Sequence, residues 1–177
     1  KAMEIIEESE EHPKIEKLKE IIKREIGANK NISIIVFSHY RDNIHNLYNT
    51  LEEVCRPVIL IGQSGERGLS QKEQIDVIKD FNAGYYNCLI GSPIAEEGLH
   101  IPSADIAIFY DSVPNEIRTI QRRGRVGRTK AGKIIFLITK GTRDESYFWT
   151  SYRKEKKMKE ILRGMQNKNQ YSLDDFN

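Results

Sequence analysis

Ser33-Ile34-Ile35-Val36-Phe37 is followed by the polar turn Ser38-His39-Tyr40-Arg41, by Asp42–Val54, and then by Pro57-Val58-Ile59-Leu60-Ile61. The first and last runs are short, β-branched and apolar without polar alternation, the pattern of strands buried on both faces. Between them Ile44, Leu47, Leu51 and Val54 recur at helical spacing. A buried strand, a helix and a second buried strand form a βαβ unit, and such units require a parallel sheet with helices covering its faces. The expected fold class is therefore α/β.

The same rhythm continues downstream. Ser70-Gln71-Lys72-Glu73 has the form of a capping box, opening a helix that carries Ile75, Ile78 and Phe81. Cys88–Ile90, Ile106–Tyr110 and Ile134–Thr139 are predicted as a third, fourth and fifth strand. A helix from about Pro114 lies between the last two, and a long helix runs from about Arg143 to Leu162, ending at Gly164. Upstream, Pro13 suits the first turn of a helix, whose apolar face is Ile15, Leu18, Ile21, Ile22 and Ile26. Residues 1–11 read as the end of an acidic helix, 12–164 as one domain, and 165–177 as a polar tail. In open parallel sheets, ligands bind beyond the carboxyl ends of the strands. Every unusual loop here follows a strand: Ser38–Asn43, Gly62–Leu69, Gly91–Pro102 and Asp111–Pro114.

A chain of 177 residues with 38% hydrophobic and 31% charged residues has the length and composition of one globular domain with charged helices. No run of about 18 apolar residues offers a membrane span. The two cysteines, Cys55 and Cys88, lie far apart in sequence and outside any Cys-x-x-Cys pattern, as expected of reduced core thiols in an intracellular protein. His12, His39, His45 and His100 form no spaced metal set. The chain opens in mid-helix without an initiator methionine, and the expectation is a piece of something longer.

The net charge of +2 is modest, but its distribution is uneven. Between Ile117 and Arg143 there is no acidic residue, while Arg118, Arg122, Arg123, Arg125, Arg128, Lys130, Lys133, Lys140 and Arg143 all fall there. Such asymmetry points to a polyanion at one face. Its centre is Gln121-Arg122-Arg123-Gly124-Arg125-Val126-Gly127-Arg128. Each glycine costs a helix about 1 kcal/mol relative to alanine, so two of them in an arginine-rich helix end call for a reason. Arginine presents a planar fork of donors that matches phosphate oxygens. The plain alternative is a basic solvated helix end that binds nucleic acid nonspecifically.

Gly127-Arg128-Thr129-Lys130-Ala131-Gly132-Lys133-Ile134 nearly matches a phosphate-binding loop but fails twice. Ile134 stands where a hydroxyl must reach Mg²⁺, and the segment leads into a predicted strand rather than a helix. No Asp-Glu pair follows an apolar strand either; Asp144-Glu145 opens a helix. Candidate arginine fingers without a phosphate cradle fit a nucleotide site divided between two units.

That layout resembles the superfamily 2 helicases and translocases. Ser38-His39-Tyr40-Arg41-Asp42-Asn43 looks like motif IV, Ser92–Pro102 like motif V, and the octet like motif VI. The chain is most similar to the Hef/FANCM/Mph1 group of fork-processing DNA helicases, through Gly68–Gln74, the octet, and Lys140–Glu145 with Tyr147-Phe148-Trp149. The resemblance covers roughly residues 12–162 and implies a RecA-like parallel sheet sandwiched by helices, the second motor lobe of such an enzyme. Residues 1–11 would then end the helical insert that joins the two lobes.

The resemblance also implies roles. Arg125 and Arg128 would reach the phosphates of ATP, held with Mg²⁺ mainly on an N-terminal RecA-like lobe, and Gln121 would link them to that lobe. Gly98 and His100 would face the nucleotide. Ser38, Tyr40, Arg41, Gly62, Ser64, Gln71 and Ser92 would line a track for the backbone of forked or branched DNA. Two positions depart from the family pattern: His100 stands where aspartate is usual, and Pro93 where a small hydroxyl residue is usual. On this reading the isolated lobe does not hydrolyse ATP. The alternatives are a lobe of an RNA helicase or duplex-RNA translocase, and a nucleic-acid-binding module whose ATPase has decayed. For Glu96-Glu97 the simpler reading is charge balance for motif VI; for Tyr147, Phe148, Trp149 and Tyr152, core packing; for Lys154–Lys159, a solvated helix face.

Overall fold

The structure, a computed structural model, describes residues 3–8, 11–63, 68–92, 104–111, 132–150, 152–153 and 156–157. In chain order the elements are β1 (Met3–Glu8), α1 (Glu11–Ala28), β2 (Ile34–Phe37), α2 (Arg41–Leu51), β3 (Pro57–Leu60), α3 (Gln71–Asn82), β4 (Cys88–Gly91), β5 (Ile106–Phe109) and β6 (Lys133–Thr139). Helical residues 143–150, here α4, follow β6. The strands form one six-stranded sheet in the order β1-β6-β5-β2-β4-β3, and every neighbouring pair is parallel. Among the described residues, no helix is long and apolar enough to cross a membrane.

The central strands are buried on both faces because successive side chains point to opposite sides. Ile34 and Val36 of β2 join one core with Leu18, Ile21 and Ile22 of α1 and Ile44, Leu47 and Leu51 of α2. Ile35 and Phe37 join the other with Phe81 of α3 and Phe148 of α4. The sheet is thus the middle layer of three. Its five predicted strands lie where the apolar runs place them.

Residues 3–8 correct the sequence reading. They form a strand paired in register with β6, from Met3↔Ile134 to Glu8↔Thr139, rather than the end of a helix. Glutamates favour a helix by local propensity, but β6 would otherwise leave one row of N–H and C=O groups unpaired at the sheet's margin. Tertiary pairing overrides a weak local preference.

A second correction falls in α3. Ile75 is exposed, and Gln74 takes its place among the buried residues. The capping box is present: Ser70 Oγ accepts from the Glu73 amide at 3.3 Å, and the Ser70 amide donates to Glu73 Oε2 at 2.7 Å. The Ser70 hydroxyl and amide hold the Glu73 carboxyl below its ordinary range.

Cys55 and Cys88, distant in sequence, meet in the core. Burial and a hydrogen bond with Cys55 push the Cys88 thiol well up, the bond contributing most. The segment resembling a phosphate-binding loop leads into β6, where Lys133 Nζ pairs with Glu25 Oε1 at 3.1 Å.

Candidate nucleic-acid interface

All six strands run the same way, so their carboxyl ends share one rim. The order in which strands are laid down switches sides at β2: the connection through α2 leads to one side of it, while β5 and β6 lie on the other. Open parallel sheets place their ligand crevice at such a reversal. Ser38 follows β2 there, Asp111 follows β5, Ser92 follows β4, and Gly62 lies just beyond β3.

The rim is tied together by short polar contacts. Ser38 is only 1% exposed. Its hydroxyl donates to Asp111 Oδ2 at 2.5 Å, and the His39 amide donates to the same oxygen at 3.1 Å. The backbone continues the seam: Ser38 N–H bonds Gly91 O at 3.0 Å, and Tyr110 N–H bonds Phe37 O at 2.8 Å. Three strand ends are therefore fastened at one point. The Ser38 hydroxyl is engaged inside this seam and does not face solvent.

Tyr40 is the aromatic side chain that motif IV offers to solvent, beside exposed Asp42. It is 58% exposed, stands at the N-cap of α2 in an extended conformation, and meets His39 edge-on at 5.1 Å between ring centroids. Arg41 opens α2, and its Nη2 reaches Gly62 O at 3.4 Å. This contact brings motif IV against the loop after β3, although 21 residues separate the partners.

The base of that loop is closed by two devices. A Cβ on Gly68 would lie 2.2 Å from Gln63 O, so only glycine permits this approach. Gln74, 4% exposed, donates through Nε2 to Ile61 O at 3.1 Å and to Leu69 O at 2.8 Å. Gln71 lies exposed on the first turn of the same helix, and Ser92 is half-buried. Gln74→Leu keeps the volume but removes both donors. It is expected to destabilise the domain by about 1–3 kcal/mol, the cost of leaving buried carbonyls unmet. Thermal melting checks this, with Gln74→Met as a second variant of similar volume that also lacks a donor. A loss under about 0.5 kcal/mol, the range of ordinary surface changes, would sink the clamp.

At the β6 end, Lys140-Gly141-Thr142 makes a helix-entry turn. Gly141 has φ +72°, a left-handed conformation suited to glycine. The Thr142 hydroxyl donates to Thr139 O at 2.7 Å, and Gly141 N–H donates to Glu145 Oε2 at 2.8 Å. Lys14 of α1, 6% exposed, forms an ion pair with Asp144 and stands 4.9 Å from the Tyr110 ring centroid. The aromatic group on and just after α4 divides: Phe148 is buried against Phe136, Trp149 is half-buried, and Tyr147 and, beyond α4, Tyr152 are exposed.

Of the residues singled out from the sequence, the structure gathers Ser38, Tyr40, Arg41, Gly62, Gln71 and Ser92 on or beside this rim. Ser64, Gly98, His100, Gln121, Arg125 and Arg128 lie outside the described residues, as does the Glu96-Glu97 pair. Among the described residues no cluster of three or more His, Cys, Asp or Glu side chains could hold a metal ion. Sequence reasoning missed Asp111 and Gln74. Each carried a faint signal: an aspartate directly after an apolar strand, and an amide on the core-facing stripe of a helix that also holds Ile78 and Phe81.

Residues 13–130 match the helicase conserved C-terminal domain family. A Methanocaldococcus jannaschii protein whose name assigns it as an ATP-dependent RNA helicase is 42% identical over 158 residues, covering 88% of this chain and 20% of its own length. The ATP-dependent DNA helicase mph1 of Aspergillus niger is 35% identical over 171 residues, covering 86% of this chain and 15% of its own. The chain thus spans a fifth or less of these curated relatives. The crystal structure of the Pyrococcus furiosus Hef helicase domain is 42% identical with a TM-score of 0.68, across 79% of this chain and 29% of that one. The C-terminal domain of the DEAD-box protein Dbp5, at 23% identity and a TM-score of 0.68, shares the fold across 86% of this chain and 83% of its own. With the family match spanning most of the chain, a RecA-like parallel sheet and a polar rim at its carboxyl ends, the chain belongs to the helicase C-terminal domain family, as a superfamily 2 second lobe of the Hef/FANCM/Mph1 group.

Proposed function

We propose that this chain is the second motor lobe of an ATP-dependent helicase or translocase that acts on forked or branched DNA. The observation that carries the reading is the joined rim, where Arg41 of motif IV meets Gly62 of the next loop beside exposed Tyr40. An arginine, an exposed ring and backbone groups on one rim suit sequence-independent contact with a sugar–phosphate strand. Tyr40, Arg41, Gly62, Ser64, Gln71 and Ser92 supply that track, while Ser38 holds it from beneath. Gly98 and His100 face the nucleotide. Arg125 and Arg128 act as fingers on the phosphates of ATP, whose Mg²⁺ is held by an N-terminal lobe, and Gln121 connects the two lobes. DNA is favoured by the likeness to Hef and mph1. RNA is the second reading, favoured by the likeness to the M. jannaschii protein.

The test is ATP hydrolysis by the 177-residue chain alone and by the chain joined to its N-terminal lobe, each with forked DNA, linear duplex and duplex RNA. The expected result is silence alone and turnover in the two-lobe form, stimulated most by the fork. Turnover by the isolated chain would overturn the divided site. Stimulation by RNA above DNA would move the assignment to the RNA-directed relatives.

A further inference from the structure

A second group of donors lies at the opposite end of the sheet, where the strands begin. Ser33 leads into β2, Arg56 into β3 and Asn87 into β4, three strands that lie side by side. With Lys30 and the turn after α3 they surround a cavity of about 370 Å³, a size at the lower end of small-molecule sites. Ile32 and Phe81, both buried, and half-buried Tyr86 contribute apolar surface to it. None of the residues lining it is acidic. The Asp105 carboxylate, which reaches Ser33, is taken up there by the Ser33 amide and hydroxyl, both at 3.0 Å. Among the described residues, Lys14, Lys19 and Lys133 pair with carboxylates, whereas Lys30 and Arg56 do not.

The donors are held in place by bonds to distant parts of the chain. Gly84, at φ +81°, closes the turn after α3 and offers its carbonyl to Arg56 Nη2 at 3.2 Å. A guanidinium carries five N–H donors, so this bond fixes its position and leaves most of them for a ligand. The Arg56 amide donates to Asn87 Oδ1 at 2.8 Å. Only an oxygen can accept there, so the Asn87 side chain is oriented with its NH2 group left to donate. Backbone bonds from Asn87 N–H to Arg56 O at 3.2 Å and from Ile34 N–H to Asn87 O at 2.9 Å hold the three strand starts together.

We infer that this cavity binds a phosphate monoester of mononucleotide size, at a site separate from the motor rim. Four-residue strands put about 13 Å between the two ends of the sheet. Two cations without carboxylate partners match the charge of about −2 that a monoester carries at neutral pH, where a diester carries half of that. The guanidinium and the Asn87 amide supply donors for its oxygens. The surface of Ile32, Phe81 and Tyr86 suits the ring to which the phosphate is attached. The inference goes beyond the function proposed above and does not depend on it. A free nucleotide and the phosphorylated 5′ end of a strand both offer this group, and the test separates them.

The 177-residue chain is titrated with adenosine 5′-monophosphate, with adenosine, and with a short single strand bearing or lacking a 5′ phosphate, read by amide NMR spectra and calorimetry. The monophosphate is expected to saturate one site below about 1 mM, with shifts centred on the amides of Ile32, Gly84 and Asn87. Adenosine is expected to bind about tenfold more weakly. Lys30 and Asn82 are exposed and line the cavity. Lys30→Glu and Asn82→Asp, which each place a carboxylate there, are expected to weaken the monophosphate about tenfold with little change in melting temperature. Arg56→Ala should cost at least as much, and its melting temperature is read alongside because it also leaves the Gly84 carbonyl unmet. Binding of the strand only when it bears the 5′ phosphate would support the inference with the strand end as source; saturation by the monophosphate alone would support it with the free nucleotide as source. No saturation by about 10 mM, equal affinity for adenosine, or binding that Lys30→Glu and Asn82→Asp leave unchanged would overturn it.

Discussion

Arg128→Ala in the two-lobe protein is expected to lower ATP turnover about 10³-fold, the lower end of what an arginine finger contributes in phosphoryl transfer. The octet containing it holds no acidic residue that would compete for the guanidinium. Transition-state charge spreads over the equatorial phosphate oxygens, and a guanidinium meets two of them with parallel N–H groups in fixed geometry. Lysine offers a point charge on a flexible stem, so Arg128→Lys is expected to recover little of the loss. Arg125→Ala should act on the same step. Residues that work as a unit are strongly non-additive, so the double variant should be barely worse than the poorer single one. Steady-state turnover at saturating ATP and forked DNA measures this, with DNA affinity as the control. A loss below about tenfold in Arg128→Ala would remove it from the finger role and leave the octet as a basic nucleic-acid patch.

Phe109→Ala is expected to cost about 3–5 kcal/mol of folding stability. Phe109 is 1% exposed and stacks between Phe37 at 5.2 Å and Phe136 at 4.8 Å, so it holds three neighbouring strands on one face of the sheet. The rings around it are rigid and anchored to strands, so the cavity cannot collapse cheaply. Against a domain stability of roughly 5–15 kcal/mol, this is a large share. At about 2–4 °C per kcal/mol for a domain of this size, the melting temperature should fall by about 10 °C. Tyr85→Ala, at a ring 67% exposed, is the control and should move it little. A fall of less than about 3 °C in Phe109→Ala would mean that the sheet repacks around the gap. Phe109 lies two residues before Asp111, so the same variant should loosen the seam at the rim.

Much of the architecture follows from local chemistry. The runs at Ile34–Phe37, Pro57–Leu60, Cys88–Gly91, Ile106–Phe109 and Lys133–Thr139 are too apolar to face water on either side, and helices of matching periodicity separate most of them. These facts alone demand a parallel sheet between helices, with its unusual loops at one rim. Motif spacing then places Tyr40, Arg41 and Gly62 on that rim, where they are found.

Other features depended on partners far along the chain. Met3–Glu8 is a strand because β6 presents an unpaired edge, which no property of residues 1–11 announces. Cys55, two residues before β3, meets Cys88 of β4 only because β3 and β4 pair, with Pro57 opposite Cys88. Ser38, expected on the DNA track, turns inward because an aspartate 73 residues later accepts a hydrogen bond from its hydroxyl. Gln74 and Ile75 differ by one helical step of about 100°, and the need of Ile61 and Leu69 for a donor decides which of them is buried. Periodicity arises within a few residues of chain and is legible there. The satisfaction of a buried polar atom is a property of the assembled fold, and only the assembled fold reveals it.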